Sequence, residues 1–225
     1  MRGHPPQGND PVVAIFDLDG VIVSTDKYHR RGWERLAAEL GIPFTAEQAE
    51  RTRGVDRMAS LRIVLGPKHR YSATEMDELA ARKNRYYLES VQEISPADLL
   101  PGALALLADL EAQQIRKAIG SASKNALPVL ARLKIAQRFE AIVTGHDFER
   151  GKPAPDVFLT AARRLGVPPE RCVVFEDAAA GIQAAHAGGM KAIGVGNPAV
   201  VAGAERIVAS LAEVRGADLL ALLSQ

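Results

Sequence analysis

The chain has 225 residues, 47% of them hydrophobic, and balances 28 Lys+Arg against 27 Asp+Glu for a net charge of +1. That length suits one domain with a sizeable insert, or two small ones, and buries enough surface for a core without staples. The balanced charge offers no electrostatic basis for nucleic acid or an anionic membrane, and no apolar run is long enough to span a bilayer. A single cysteine, Cys172, excludes an internal disulfide and fits a reducing compartment such as the cytoplasm. Nothing in the chain demands a protein partner, so a monomer is expected.

Residues 1–10 contain His4, Pro5, Pro6 and Gly8, have no apolar stretch, and read as a loose tail, not a signal peptide. Residues 12–16 (Val-Val-Ala-Ile-Phe) read as a strand buried on both faces, followed by Asp17, Asp19 and a turn at Gly20. Ser24, Thr25 and Asp26 offer N-caps to a helix on which Trp33, Leu36, Ala37 and Leu40 recur at i, i+3, i+4, i+7, with Gly41 at its C′. A second helix starts at Thr45 and is broken by Gly54-Val55. A third covers 57–65, and a long, one-sidedly charged fourth covers 73–91. Nothing between 26 and 95 reads as strand, so residues 25–95 are an all-helical insert, a four-helix bundle, between core segments 11–24 and 96–225.

Past Pro101-Gly102, residues 103–113 read as a helix and 115–120 as a strand, which ends in the polar loop Ser121-Ala122-Ser123-Lys124-Asn125 before another helix. Residues 141–144 are a short strand. Gly151-Lys152-Pro153 opens a helix with an apolar stripe of Val157, Phe158, Ala161, Ala162 and Leu165. The strand 172–175 ends in Glu176-Asp177, a helix spans 178–187, and short strands follow at 192–195 and 206–209. Strand–helix alternation of this kind predicts an α/β fold with a doubly wound parallel sheet.

Three strands end in chemistry. Asp17 and Asp19 follow the first, Ser121 the second, Glu176-Asp177 the fourth, and Lys152 lies in the loop after the third. In a parallel sheet these ends share one rim, where ligands bind. Singly, each has an ordinary explanation: a loop lysine, an N-capping serine, carboxylates favoured by a helix dipole. Together, a hydroxyl, an ammonium and several carboxylates suit a phosphoryl group with Mg²⁺, leaving one aspartate free to attack phosphorus.

This arrangement resembles the haloacid dehalogenase superfamily, whose motifs are matched by Asp17-Leu18-Asp19-Gly20, Ser121, Lys152 and Glu176-Asp177, and whose small cap domain the helical insert is similar to. The likeness extends over almost the whole chain from residue 12. Thr25, His29, Arg53-Gly54-Val55, Arg57, Lys83-Asn84, Ser95-Pro96-Ala97-Asp98, residues 121–125 and Gly151–Asp156 resemble the β-phosphoglucomutase family within it. The resemblance implies interconversion of β-glucose 1-phosphate and glucose 6-phosphate through glucose 1,6-bisphosphate. It implies Asp17 as nucleophile, Asp19 as general acid/base, and Ser121 and Lys152 holding the transferring phosphoryl group. Mg²⁺ is expected on Asp17, the Asp19 carbonyl and Asp177, with Glu176 close by.

The expected substrate contacts are Thr25, His29, Trp33, Gly54, Val55, Arg57, Ser60 and Lys83 in the insert, and Ala122, Ser123 and Asn125 in the core. Arg57 offers a bidentate fork for a second phosphate, with Lys83 and Ser60 adding donors. The plainer reading of Arg57 and Lys83 is a solvated helix face, and of His29 a hinge histidine bonded to backbone. Ala178 departs from the family pattern, where a hydroxyl residue is frequent. A sugar-phosphate phosphatase of the same superfamily is the alternative, and a non-catalytic phosphosugar-binding module a more distant one.

Overall fold

The computed structural model describes residues 11–52, 56–67 and 69–224. The expected tail over 1–10 and the expected site residues Gly54 and Val55 lie outside the described residues, as does Arg53. The chain forms two compact units, one running up to Ser24 and resuming at Ser95, the other Thr25–Ile94.

The first unit opens with β1 (Val13–Phe16), every residue buried. The second is helical throughout its described residues: α1 (Asp26–Glu39), α2 (Ala46–Arg51), α3 (Arg57–Leu65) and α4 (Ala73–Val91). Its core is Trp33, Leu36 and Ala37 of α1, Leu61 and Val64 of α3, and Met76, Leu79, Ala80 and Tyr86 of α4. The expected bundle of four helices is a core of three. At six residues α2 is too short to present an apolar stripe and buries no side chain. It is tied instead by Gln48, whose amide donates to the Ile63 and Val64 carbonyls. The side chains of Thr45, Asp56 and Ser72 cap α2, α3 and α4, each contributing about 1 kcal/mol. Thr25 does not: it stands at the N-cap of α1 with φ −99° and ψ 1°, not extended, and its hydroxyl makes no cap bond.

The first unit continues with α5 (Ala103–Ala112), β2 (Arg116–Gly120), α6 (Ala126–Leu133), β3 (Ala141–Val143), α7 (Asp156–Leu165), β4 (Cys172–Glu176), α8 (Ala179–Ala187), β5 (Lys191–Val195), β6 (Arg206–Val208) and α9 (Gly216–Leu223). The eight-residue α9 was not foreseen, because its run Ala-Asp-Leu-Leu-Ala-Leu-Leu is too short and too apolar to display a helical period. The six strands form one parallel sheet in the order β3-β2-β1-β4-β5-β6, with helices on both faces. Val13 and Ile15 pack with Val157, Phe158 and Ala161 of α7 and with Ile182 of α8. The next residue along, Phe16, stacks on Phe175 with ring centroids 4.5 Å apart. The strand order reverses between β1 and β4. Their neighbouring carboxyl ends are therefore the crevice of a doubly wound sheet.

Candidate active site

Register brings the chemistry together at that crevice. Phe16 stands opposite Ile119 of β2 and Phe175 of β4, so Asp17 emerges between Gly120 and Glu176, and its amide still donates to the Phe175 carbonyl at 2.9 Å. The chain then turns back on itself: Ile22 and Val23 both donate to the Leu18 carbonyl, and Gly20 to that of Val23. Gly20 has φ +85°, and a β-carbon there would lie 2.0 Å from Asp177 Oδ2. The turn that carries Asp19 thus passes directly under the Asp177 carboxylate.

Lys152 reaches this point from the loop between β3 and α7. Its Nζ donates to Asp17 Oδ1 at 2.5 Å and to Glu176 Oε2 at 2.7 Å, over the ring of Phe158. Burial by itself would pull the ammonium down, but Asp17 and Glu176 outweigh it and hold the lysine above its ordinary pKa. Glu176 is 2% exposed, and burial pushes its carboxyl up to about 8 against the pull of Lys152. Its other oxygen accepts from the Ala178 amide at 3.2 Å.

Ser121 follows β2 and is 1% exposed. Its hydroxyl accepts from the Ser123 amide, and the Ser123 hydroxyl in turn accepts from the Asn125 amide. Ser121 is therefore not an N-cap of α6; that position belongs to Asn125. The loop 121–125, including Ala122, is held in a tight turn along the rim. Carboxylate oxygens of Asp17, Glu176 and Asp177 all lie within 4.8 Å of one another. Lys152 engages one oxygen each of Asp17 and Glu176, leaving an all-oxygen donor set that fits a hard divalent cation. The carboxylate of Asp19 stands outside that group.

In the helical unit, α1 and α4 pack against each other and join four expected or unexpected site residues. Lys83 is 2% exposed. Its Nζ lies 2.7 Å from His29 Nδ1 and over the rings of Trp33 and Tyr87. Among the described residues no acid offsets its charge. Burial, then Arg57, lowers the ammonium to about 7. Burial, then Lys83 and Arg57, likewise lowers His29 well below the usual imidazole range. The solvated-face reading of Lys83 and the backbone-bonded reading of His29 are both overturned. Arg57 is half-buried at the start of α3, and Ser60, one turn on, is buried with its hydroxyl 3.5 Å from the Thr52 carbonyl. Thr25 is buried at the head of α1.

Residues 12–189 match the family model for haloacid dehalogenase-like hydrolases. The chain belongs to that family. As a haloacid dehalogenase-like enzyme it is 43% identical to β-phosphoglucomutase of Bacillus subtilis (strain 168), over 86% of this chain and 87% of that one. The structure of β-phosphoglucomutase from Clostridium difficile superposes with a TM-score of 0.85 at 36% identity, covering 95% of this chain and 97% of that one. Fructose-1-phosphate phosphatase of Escherichia coli (strain K12) is 34% identical over 80% of this chain and 94% of its own length.

Sequence reasoning passed over one member of the helical site. Tyr87 stacks on His29 with ring centroids 4.0 Å apart. The signal was available, since Lys83 and Tyr87 stand at i, i+4 on α4 and His29 and Trp33 at i, i+4 on α1, two facing pairs. No helix among the described residues is long and apolar enough to cross a membrane.

Proposed function

We propose that this haloacid dehalogenase-like enzyme is a β-phosphoglucomutase, interconverting β-glucose 1-phosphate and glucose 6-phosphate as a cytoplasmic monomer. The observation that carries the reading is Lys83, a buried cation in the helical unit with Arg57 near and, among the described residues, no acid to balance it. Hydrolysis of an aspartyl phosphate needs only water. A mutase must also hold a sugar by a phosphate that is not being transferred, and an uncompensated buried cation beside a guanidinium suits that phosphate. The 43% identity to a β-phosphoglucomutase supports the same choice.

In this reading the resting enzyme carries its phosphoryl group on Asp17. The sugar 6-hydroxyl attacks phosphorus, the Asp17–phosphorus bond breaks, and the hydroxyl proton passes to Asp19. The resulting glucose 1,6-bisphosphate turns over in the site. Asp17 then attacks the phosphorus at C1, and the departing O1 takes the proton back from Asp19. Lys152 and Ser121 hold the oxygens of the group in flight. Mg²⁺, held by Asp17, Asp177 and the Asp19 carbonyl with Glu176 close by, would neutralise charge on those oxygens. Thr25, His29, Trp33, Arg57, Ser60 and Lys83, with Ala122, Ser123 and Asn125, orient the sugar.

A sugar-phosphate phosphatase is the second reading, favoured by the 34% identity to fructose-1-phosphate phosphatase. The deciding experiment supplies purified protein with β-glucose 1-phosphate, Mg²⁺ and a trace of glucose 1,6-bisphosphate, and follows glucose 6-phosphate and inorganic phosphate together. Glucose 6-phosphate in large excess is expected. Stoichiometric inorganic phosphate would make the enzyme a phosphatase.

A further inference from the structure

Gly181 sits in the first turn of α8, although alanine is the better helix former. Its φ is not left-handed, so its conformation does not require glycine. What requires it is a neighbour. A β-carbon on Gly181 would lie 2.0 Å from Cδ, 2.1 Å from Oε2 and 2.3 Å from Cγ of Glu176. The bare face of the helix is the seat of that carboxylate, whose Oε2 is the atom that accepts from Lys152 Nζ. Gly20 is a different case, because its φ of +85° calls for glycine whatever lies nearby.

We infer that Gly181 is a positioning residue for phosphoryl transfer. Its missing side chain lets the Glu176 carboxylate lie flat against α8, and from there Glu176 sets the Lys152 ammonium against Asp17. This rests on the roles of Asp17 and Lys152 given above. A methyl group at 181 stabilises the helix locally but evicts the carboxylate. Lys152 then keeps only Asp17 as an anchor and can swing with it. Misplacement of about an ångström in such a group costs on the order of 10²-fold in rate.

The test uses full-length protein and two readouts. The first is the ¹⁵N resonance of the Lys152 ammonium in metal-free enzyme, assigned by its loss in Lys152→Met. Gly181→Ala is expected to shift or broaden it, as Glu176→Ala does. The second is phosphorylation of Asp17 by acetyl phosphate with Mg²⁺. Gly181→Ala is expected to slow it by about 10²-fold, yet to add nothing in a Glu176→Ala background, where the seat is already vacant. An unchanged resonance, or losses that multiply in the double variant, would overturn the inference. If Gly181→Ala alone does not fold, a folded Gly181→Ala/Glu176→Ala protein supports it and an unfolded one overturns it. If acetyl phosphate phosphorylates no form of the enzyme, the catalytic reading fails, while the Lys152 resonance still decides the role of Gly181.

Discussion

Lys152 and Lys83 both have their ammonium groups withdrawn from water, and their surroundings treat the charge in opposite ways. Lys152, at the rim of the sheet, meets two carboxylates, and their attraction exceeds the cost of burial. Lys83, in the helical unit, meets a histidine, two aromatic faces and a nearby arginine, and burial prevails. At the first site the ammonium has its counter-charges in place, and its position is fixed before any ligand arrives. The second lacks an anion among the described residues. A buried cation left unbalanced weakens the fold that holds it, and that cost makes sense where a ligand brings the missing charge.

Breaking the rim gives the largest expected effect. Asp17→Asn removes both the proposed nucleophile and an anchor of Lys152, and should lower formation of the phosphoenzyme by about 10⁴-fold or more, read by intact-mass spectrometry after acetyl phosphate. A normal phosphoenzyme signal would take Asp17 out of its role. Asp19→Asn should slow transfer to the sugar by about 10²–10⁴-fold. Metal binding should suffer less there than in Asp17→Asn, because the proposed Asp19 ligand is its backbone carbonyl. Equal loss of Mg²⁺ affinity in the two variants would make the Asp19 side chain a direct ligand.

The rim was legible in the sequence because its residues sit at fixed offsets from strand ends. Five apolar residues followed by Asp17 and Asp19, or Cys172-Val-Val-Phe before Glu176-Asp177, place carboxylates at one edge as soon as the sheet is parallel. The strand order, and hence the switch point between β1 and β4, depends on long-range pairing that no local pattern encodes. The helical unit was legible as helices but not as a site. A lysine on a charged helix reads as solvated, and only the packing of α1 on α4 reveals that Lys83 points inward. Likewise Gly181 reads as a helix defect until Glu176 is seen lying across it.

Removing the cations of the helical unit should leave the rim intact while changing what the enzyme does. Arg57→Ala takes away the fork proposed for the stationary phosphate, so the sugar should bind poorly with its hydroxyl misplaced. Glucose 6-phosphate production should fall by about 10²-fold, with phosphorylation by acetyl phosphate unchanged. The ratio of inorganic phosphate to glucose 6-phosphate should therefore rise. Lys83→Ala should move the ratio the same way but less, as a point charge replaces no fork. A ratio unmoved by both, with normal phosphorylation, would mean that these charges serve no sugar phosphate.

The effect furthest from catalysis sharpens the contrast most directly, because it concerns Lys83 without any ligand. With its proton held to about pH 7 in the folded chain against about 10.5 unfolded, the lysine makes stability depend on pH in a set direction. Below pH 7 both states carry the proton and the fold bears the full cost of the buried charge. Between pH 7 and 10.5 the unfolded chain binds more protons than the folded one, so stability rises with pH. Lys83→Met keeps the packing and removes the charge. It should therefore be more stable than the parent, by on the order of 2–4 kcal/mol near neutrality, with the gap closing as pH climbs toward 10. His29 faces Lys83 from α1 and Arg57 from α3, but neither changes charge across that window: His29 titrates well below it and an arginine above it. Urea titrations at pH 7 to 10, followed by fluorescence of Trp33, the sole tryptophan and a part of this core, report on the helical unit. Inorganic phosphate should narrow the gap at pH 7 by stabilising the parent more than the variant. If the two proteins keep parallel pH profiles, Lys83 carries no uncompensated charge, and the contrast with Lys152 is lost.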